Sequence, residues 1–149
     1  MKIVNRKFSR EFEDIERIEA GISLTGAEVK SVRAKNIRLE DAFVKLIGSE
    51  AFLVNADIPV YQYARPTGYD SRRTRKLLLH KRELLRLKVK LGGAKGLTIV
   101  PVSCYNKGPR FKLEIAVVKG RKDVEKRRLE KRKDIERDQR REMKEYMKE

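Results

Sequence analysis

The chain offers few residues that could carry catalysis. Its single histidine, His80, is followed by Lys81 and Arg82. A histidine acting as general base needs an orienting acid or a nucleophile beside it. Its immediate sequence neighbours on the C-terminal side are basic. His80 therefore reads either as the base of a ribonuclease-like enzyme or as an exposed helix residue facing RNA. The one cysteine, Cys104, sits in the apolar run Val102-Ser103-Cys104-Tyr105. It reads as a small hydrophobe before it reads as a nucleophile. Alone it can form neither an internal disulfide nor a thiolate zinc site. Carboxylates crowd at Glu11-Phe12-Glu13-Asp14 and Glu16, as a cation site or as the solvated edge of a strand. No phosphate-binding loop, HExxH pair or nucleophile elbow is present. The expectation is a non-enzyme with no cofactor and no metal.

Binding chemistry is better represented. Arg72, Arg73, Arg75, Lys76, Lys81 and Arg82 flank the triple Leu77-Leu78-Leu79. Burial of the leucines would anchor the segment and project the cations together. Arginine offers a planar fork for bidentate phosphate contact and can stack on bases. Tyr61, Tyr63 and Tyr69 lie beside this run as candidate stacking partners, or as packing at the rim of the fold. The whole chain of 149 residues holds 38 Lys and Arg against 22 Asp and Glu, a formal charge of +16. Such a surplus favours a polyanionic partner, nucleic acid before an anionic membrane, because each neutralised phosphate releases counterions. No apolar run approaches the ~20 residues that span a bilayer. The N-terminus lacks the apolar core of a signal peptide. A cytoplasmic protein with no membrane partner is expected.

These residues need elements to hold them. Phe12–Leu24 reads as a strand, with Gly21 marking a bulge or a close backbone approach. Thr25-Gly26-Ala27-Glu28 is a capping box that opens a helix to about Arg33, with Val29 and Val32 inward and Lys30 and Arg33 outward. Ala42–Ile47 and Ala51–Val54 form a hairpin around Gly48-Ser49-Glu50. Residues 64–74 read as loop, and Leu77–Lys90 as a helix ended by Gly92-Gly93. Leu97–Tyr105 and Arg110–Val118 read as strands joined through Gly108-Pro109. The fold class is mainly β: a small closed barrel of the oligonucleotide-binding type with short flanking helices. Near Lys119-Gly120 the composition changes. Lys119–Glu149 carries 14 basic and 9 acidic side chains, leaving a charge of +11 on the 118 residues before it. That tail has no steady apolar stripe. It is expected to be disordered alone and helical when docked, with a free-standing charged helix as the competing reading.

Four segments carry a family resemblance. They are Ile18–Arg33 (IEAGISLTGAEVKSVR), Arg73–Leu84 (RTRKLLLHKREL), Lys95–Pro101 (KGLTIVP) and Val118–Lys122 (VKGRK). In this order they resemble the bacterial SsrA-binding (small protein B) family, over about Asn5 to Arg127. The resemblance implies ribosome rescue by trans-translation. The body would bind the tRNA-like domain of transfer-messenger RNA (SsrA RNA). The tail would enter the empty mRNA channel of a stalled ribosome near the decoding site. Elongation factor Tu is implied as a partner through the aminoacylated RNA. The resemblance marks Glu19, Leu78 and Lys112 as RNA-face positions and His80 as a polar contact; with Gly21, the outward Lys30 and Arg33, and Arg73, Arg75 and Lys76 of the basic run, they make up the expected RNA face. The implied ribosome-binding tail residues are Lys119, Gly120, Arg121, Lys122, Glu125, Lys126 and Arg127. Two positions depart from the family pattern. Val124-Glu125 stands where an aromatic or His precedes Asp, and Ser71 stands where Pro is common. Composition alone leaves a second reading, a ribosomal or ribosome-assembly protein that binds rRNA.

Overall fold

The computed structural model describes residues 1–63 and 67–148. In chain order the elements are β1 (Lys2–Val4), α1 (Phe8–Glu11), β2 (Phe12–Ile22), α2 (Gly26–Arg33), β3 (Phe43–Ile47), β4 (Glu50–Val54), β5 (Arg75–Leu78), α3 (Lys81–Gly93), β6 (Leu97–Lys107), β7 (Arg110–Gly120) and α4 (Asp123–Lys148). The protein is mainly β with flanking helices. Every strand pairing is antiparallel. The sheet runs β6-β3-β4-β5-β2-β7, and β7 then pairs back onto β6. Six strands thus form a closed ring, with β1 added on β6. Closure leaves few unpaired strand edges, which are a liability in an open sheet.

Period-two alternation explains the packing. On β7, Leu113, Ile115 and Val117 point into the main core. Ala116 and Val118, one residue out of phase, join Phe8, Val100 and Val102 in a second apolar cluster. Residues on alternate faces of a strand go to opposite sides. This end of the ring is therefore covered on both faces, with α1 supplying the outer cover through Phe8. Sequence reading did not assign β1 or α1. Both are too short to show a period.

The capping box behaves as its residues suggest. Glu28 N–H donates to Thr25 Oγ1 at 3.3 Å, and Thr25 N–H donates to Glu28 Oε1 at 2.9 Å. Helix α2 ends at Arg33. The expected helix over Leu77–Lys90 is corrected at its start. Arg75–Leu78 is strand β5, and α3 begins only at Lys81. Three consecutive leucines carry no period, so pairing with β2 and β4 decides. Leu77 is buried while Leu78 is 57% exposed. Gly93 closes α3, as Gly92-Gly93 suggests.

Gly21 marks a close approach. It pairs with Leu78, and a Cβ there would lie 3.1 Å from Leu78 Cβ. The irregularity in β2 falls elsewhere, between Asp14 and Glu16. Strand β2 is also not an edge, since it lies between β5 and β7. The acidic run is thus not a solvated sheet edge. Glu16 instead receives Arg86 and Lys90 from α3.

Of the expected loop, residues 64–66 lie outside the described residues, and residues 67–74 carry no helix or strand. The composition break falls inside β7, where Lys119 pairs with Glu13 and Gly120 with Phe12. The 26-residue α4 follows. From Glu130 to Met147 every side chain is exposed. The helix meets α1 through polar pairs: Arg10 with Glu130, Lys126 with Glu11 at 3.8 Å, and Lys133 with Ser9 at 3.4 Å.

Candidate nucleic-acid interface

An open groove of about 780 Å³ lies where β2, β5 and β7 run side by side. It brings together Glu19 and Gly21 from β2, Lys76 and Leu78 from β5, His80 at the head of α3, and Lys112 from β7. Strand register makes this convergence. Gly21 pairs with Leu78 on one side and with Lys112 on the other. Strand β5 turns Lys76 and Leu78 outward and Arg75 and Leu77 inward. The missing Cβ at Gly21 leaves room for Leu78, whose exposed side chain places an apolar surface among charges. Lys81 and Arg110 add cations to the groove, and Lys76 pairs with Glu50 at 3.1 Å.

Glu19 is held from β6. Tyr105 donates its hydroxyl to Glu19 Oε2, and Lys107 Nζ lies 3.4 Å from Oε1. The Tyr105 hydrogen bond, aided by the charges of Lys107 and Lys112, holds the Glu19 carboxyl below its ordinary range against some desolvation. Burial, with Glu19 as the second cause, pushes the Tyr105 phenol up to about 12. His80 is exposed. Its N–H donates to Glu83 Oε1 at 3.0 Å, and its carbonyl accepts from Leu84 N–H at 3.0 Å. It serves as the start of a helix.

Four expected RNA-face residues lie outside the groove. Lys30 and Arg33 are exposed on α2, and Arg33 sits beside the β6–β7 turn with Asn106 and Phe111. Arg75 is a correction, because its side chain is fully buried. Its Nε donates to Glu28 Oε2 at 2.6 Å, Nη1 to Ala56 O at 2.8 Å and Nη2 to Ser71 O at 3.0 Å. The alternation that exposes Lys76 turns Arg75 inward, so its fork meets protein and not phosphate. Arg73 is intermediate. It donates to Glu28 Oε1 at 2.6 Å, yet its side chain is 42% exposed.

Glu28 is the centre of this second cluster. Burial alone would raise its carboxyl. The hydrogen bonds from Arg73, Thr25 and Arg75 outweigh that and hold it below the usual carboxylate range. The cluster ties α2, residues 56–59, the loop near Ser71 and β5 together. Ser71 contributes its carbonyl, accepting also from Ile58 N–H at 2.9 Å. A proline there would offer the same atom. Tyr69 belongs to this scaffold, its hydroxyl donating to Ile58 O at 2.7 Å. Tyr61 and Tyr63 stand apart as an edge-on pair with centroids 5.4 Å apart.

Sequence reasoning missed three residues here. Glu28 was visible as a cap, but its second role depends on residues 45 and 47 positions away. Tyr105 was readable only as a strand position out of phase with Cys104, and Lys107 only as part of the turn, whereas β6 runs on to Lys107. The Cys104 thiol is pushed up to about 12 by burial, so it is inert as a nucleophile at neutral pH. Among the described residues, no three metal-type side chains converge, and no helix is long and apolar enough to cross a membrane.

At the root of the tail, Arg121 N–H donates to Glu11 O at 2.8 Å and its Nε to Phe12 O at 3.1 Å. Lys126 N–H donates to Lys122 O at 3.0 Å. Glu125 and Arg127 are exposed, as is Val124. Lys119 and Gly120 remain inside β7.

Residues 2–145 match the family model described as SmpB protein. The chain is 48% identical over 126 residues to the SsrA-binding protein of Deinococcus radiodurans, covering 85% of this chain and 87% of that one. It is 44% identical over 142 residues to the SsrA-binding protein of Streptococcus pyogenes, covering 95% and 91%. Among solved structures it resembles a chain described under "tmRNA-SmpB: a journey to the center of the bacterial ribosome". That likeness has a TM-score of 0.68 and 39% identity, covering 82% of this chain and 85% of that one.

Proposed function

The chain belongs to the SmpB protein family, and from that premise we propose that it is an RNA-binding adaptor of trans-translation. Its body binds the tRNA-like domain of transfer-messenger RNA and delivers it to stalled ribosomes. The observation that carries this reading is the groove, where Glu19, Gly21, Lys76, Leu78, His80 and Lys112 converge from four separate elements. A shallow surface that mixes cations, one exposed leucine and the Glu19, Glu50 and Glu83 carboxylates suits a folded RNA better than a small substrate. We read the six-strand ring as a closed barrel of the oligonucleotide-binding type, and the groove as its RNA face. Lys30, Arg33 and Arg73 extend that face, while Arg75 is its internal brace.

The role is non-enzymatic. His80 caps a helix, and the Cys104 thiol is buried and protonated. The adaptor works in the cytoplasm and meets elongation factor Tu through the aminoacylated RNA. The tail beyond Lys119 acts on the ribosome. Alone it is held to the body by its exposed pairs with α1, and it keeps the form of α4 in the mRNA channel, with Lys119, Gly120, Arg121 and Lys122 as its root and Glu125, Lys126 and Arg127 nearest the decoding site. The exposed face of α4 supports this. Surface pairs such as Asp134–Arg137 and Asp138–Arg141 stabilise a helix by only a few tenths of a kcal/mol each.

Capture of the tagged protein from a bacterial lysate, followed by sequencing of the bound RNA, tests this reading. One dominant small RNA with an alanine-tRNA-like end is the expected result. Recovery of rRNA alone would overturn it.

A further inference from the structure

We propose that Tyr105 is a positioning residue for RNA recognition, holding the Glu19 carboxylate at the edge of the groove as a hydrogen-bond acceptor. The inference rests on the reading of the groove as an RNA face. A carboxylate there is repelled by phosphate, so its useful partners are donors: base N–H groups or a ribose 2′-OH. Discrimination requires that the acceptor be fixed in place, and a glutamate on a strand surface has three rotatable bonds.

The structure supplies the fixing. Glu19 lies opposite Glu114 on β7, and Tyr105 lies opposite Lys112 on the other side of the same strand. The phenol therefore reaches across β7 to Glu19 Oε2, and Lys107 approaches Oε1 at 3.4 Å. Glu114 is drawn off by Arg17 at 2.9 Å, which leaves Tyr105 and Lys107 as the partners of Glu19. Removing the Tyr105 hydroxyl leaves Glu19 in the groove with only the exposed Lys107 pair at 3.4 Å to hold it.

Binding of a transcript of the tRNA-like domain of transfer-messenger RNA tests this as a double-mutant cycle. Tyr105→Phe, which keeps the ring, is expected to weaken affinity by about fivefold to tenfold, the cost of immobilising a freed Glu19 side chain on binding. Glu19→Gln should weaken it at least as much. The double variant should be no weaker than Glu19→Gln alone. The salt dependence of binding should not change in Tyr105→Phe, because no phosphate contact is lost. Thermal melting of each variant separates binding loss from unfolding. Additive losses would mean that Tyr105 acts on the fold or touches RNA itself, and would overturn the proposal. So would wild-type affinity in Tyr105→Phe beside a weakened Glu19→Gln. Wild-type affinity in Glu19→Gln would instead remove Glu19 from the RNA face, and the proposal with it.

Discussion

The same side-chain types form two very different clusters in this protein. In the body, Glu28 binds Arg75 and Arg73, and the Glu28 and Arg75 side chains are 2% and 0% exposed. At the root of the tail, Glu130 meets Arg10 and Glu11 meets Lys126, with side chains mostly between a fifth and a half exposed. Coulomb attraction is strong where water is excluded and weak where it is not. The first cluster therefore belongs to the fold. The second decides only where a helix lies. The +16 of the chain is not one property, because burial assigns each charge its task.

The largest test of that contrast removes one side of it. Deletion of Asp123–Glu149 is expected to abolish peptide tagging on stalled ribosomes. It should leave the melting temperature and the affinity for transfer-messenger RNA nearly unchanged, since α4 has no buried residue among those described from Val124 to Met147. A loss of RNA affinity as great as that of an Arg73→Ala/Lys76→Ala variant would break the division between body and tail. Tagging assays and filter binding read the two outcomes separately.

The next test breaks the buried cluster. Glu28→Gln leaves the Arg75 charge in the interior with a neutral partner. Removing one member of a buried pair destabilises by about 3–5 kcal/mol, read as a lower urea midpoint at neutral pH. The pH dependence sharpens this. The Glu28 carboxyl is held lower in the folded state than its ordinary value. Its contribution is therefore fully present above the unfolded carboxylate range, near pH 4.3, and is lost as pH falls through the depressed folded value. The advantage of the wild type over Glu28→Gln should narrow below about pH 4. A gap that stays constant down to pH 2.5 would deny the cluster its role.

The contrast also explains what could be read from residues alone. Local signals were legible. The Thr25–Glu28 box opens α2, and turn residues locate the β3–β4 and β6–β7 hairpins. Non-local facts were not. A four-residue strand at Arg75–Leu78 exists because β2 and β4 flank it, and no period can show in so short a run. In that strand one residue decides the sign of a site. Six cations near three leucines read as one basic face, yet alternation sends Arg75 inward and Lys76 outward. Of the groove residues, Glu19, Leu78 and Lys112 came from family likeness, while Lys76 and His80 came from the basic run and Gly21 from its place in a strand. Their convergence depends on the registers of Gly21 with Leu78 and with Lys112.

Gly21→Ala probes that convergence at moderate cost. The new Cβ would meet Leu78 Cβ at 3.1 Å, so the β2–β5 contact must give by a few tenths of an ångström. The expected result is a destabilisation of about 1 kcal/mol and a loss of RNA affinity larger than that alone explains, because Leu78 is displaced within the groove. Gly21→Ala/Leu78→Gly removes the Cβ that clashes and should recover stability relative to Leu78→Gly alone, but not affinity. Recovery of both would mean that Leu78 is only a wall and not part of the RNA surface.

The smallest effect belongs to the exposed pairs. Arg10→Glu places like charges between α1 and α4, opposite Glu130. Surface ion pairs contribute about 0–1 kcal/mol, so the melting temperature should move by no more than about 4 °C and RNA affinity should not move. What should change is the direction of the tail, measurable as the distance between spin labels on the body and on α4. The charge swap Arg10→Glu/Glu130→Arg should restore that distance. High salt should erase the difference among all three proteins, because the Debye length shrinks to ~3 Å at 1 M. A stability loss as large as that of Glu28→Gln would show that α1 and α4 share a buried interface. The contrast between interior and surface charge would then fail where it is drawn most sharply.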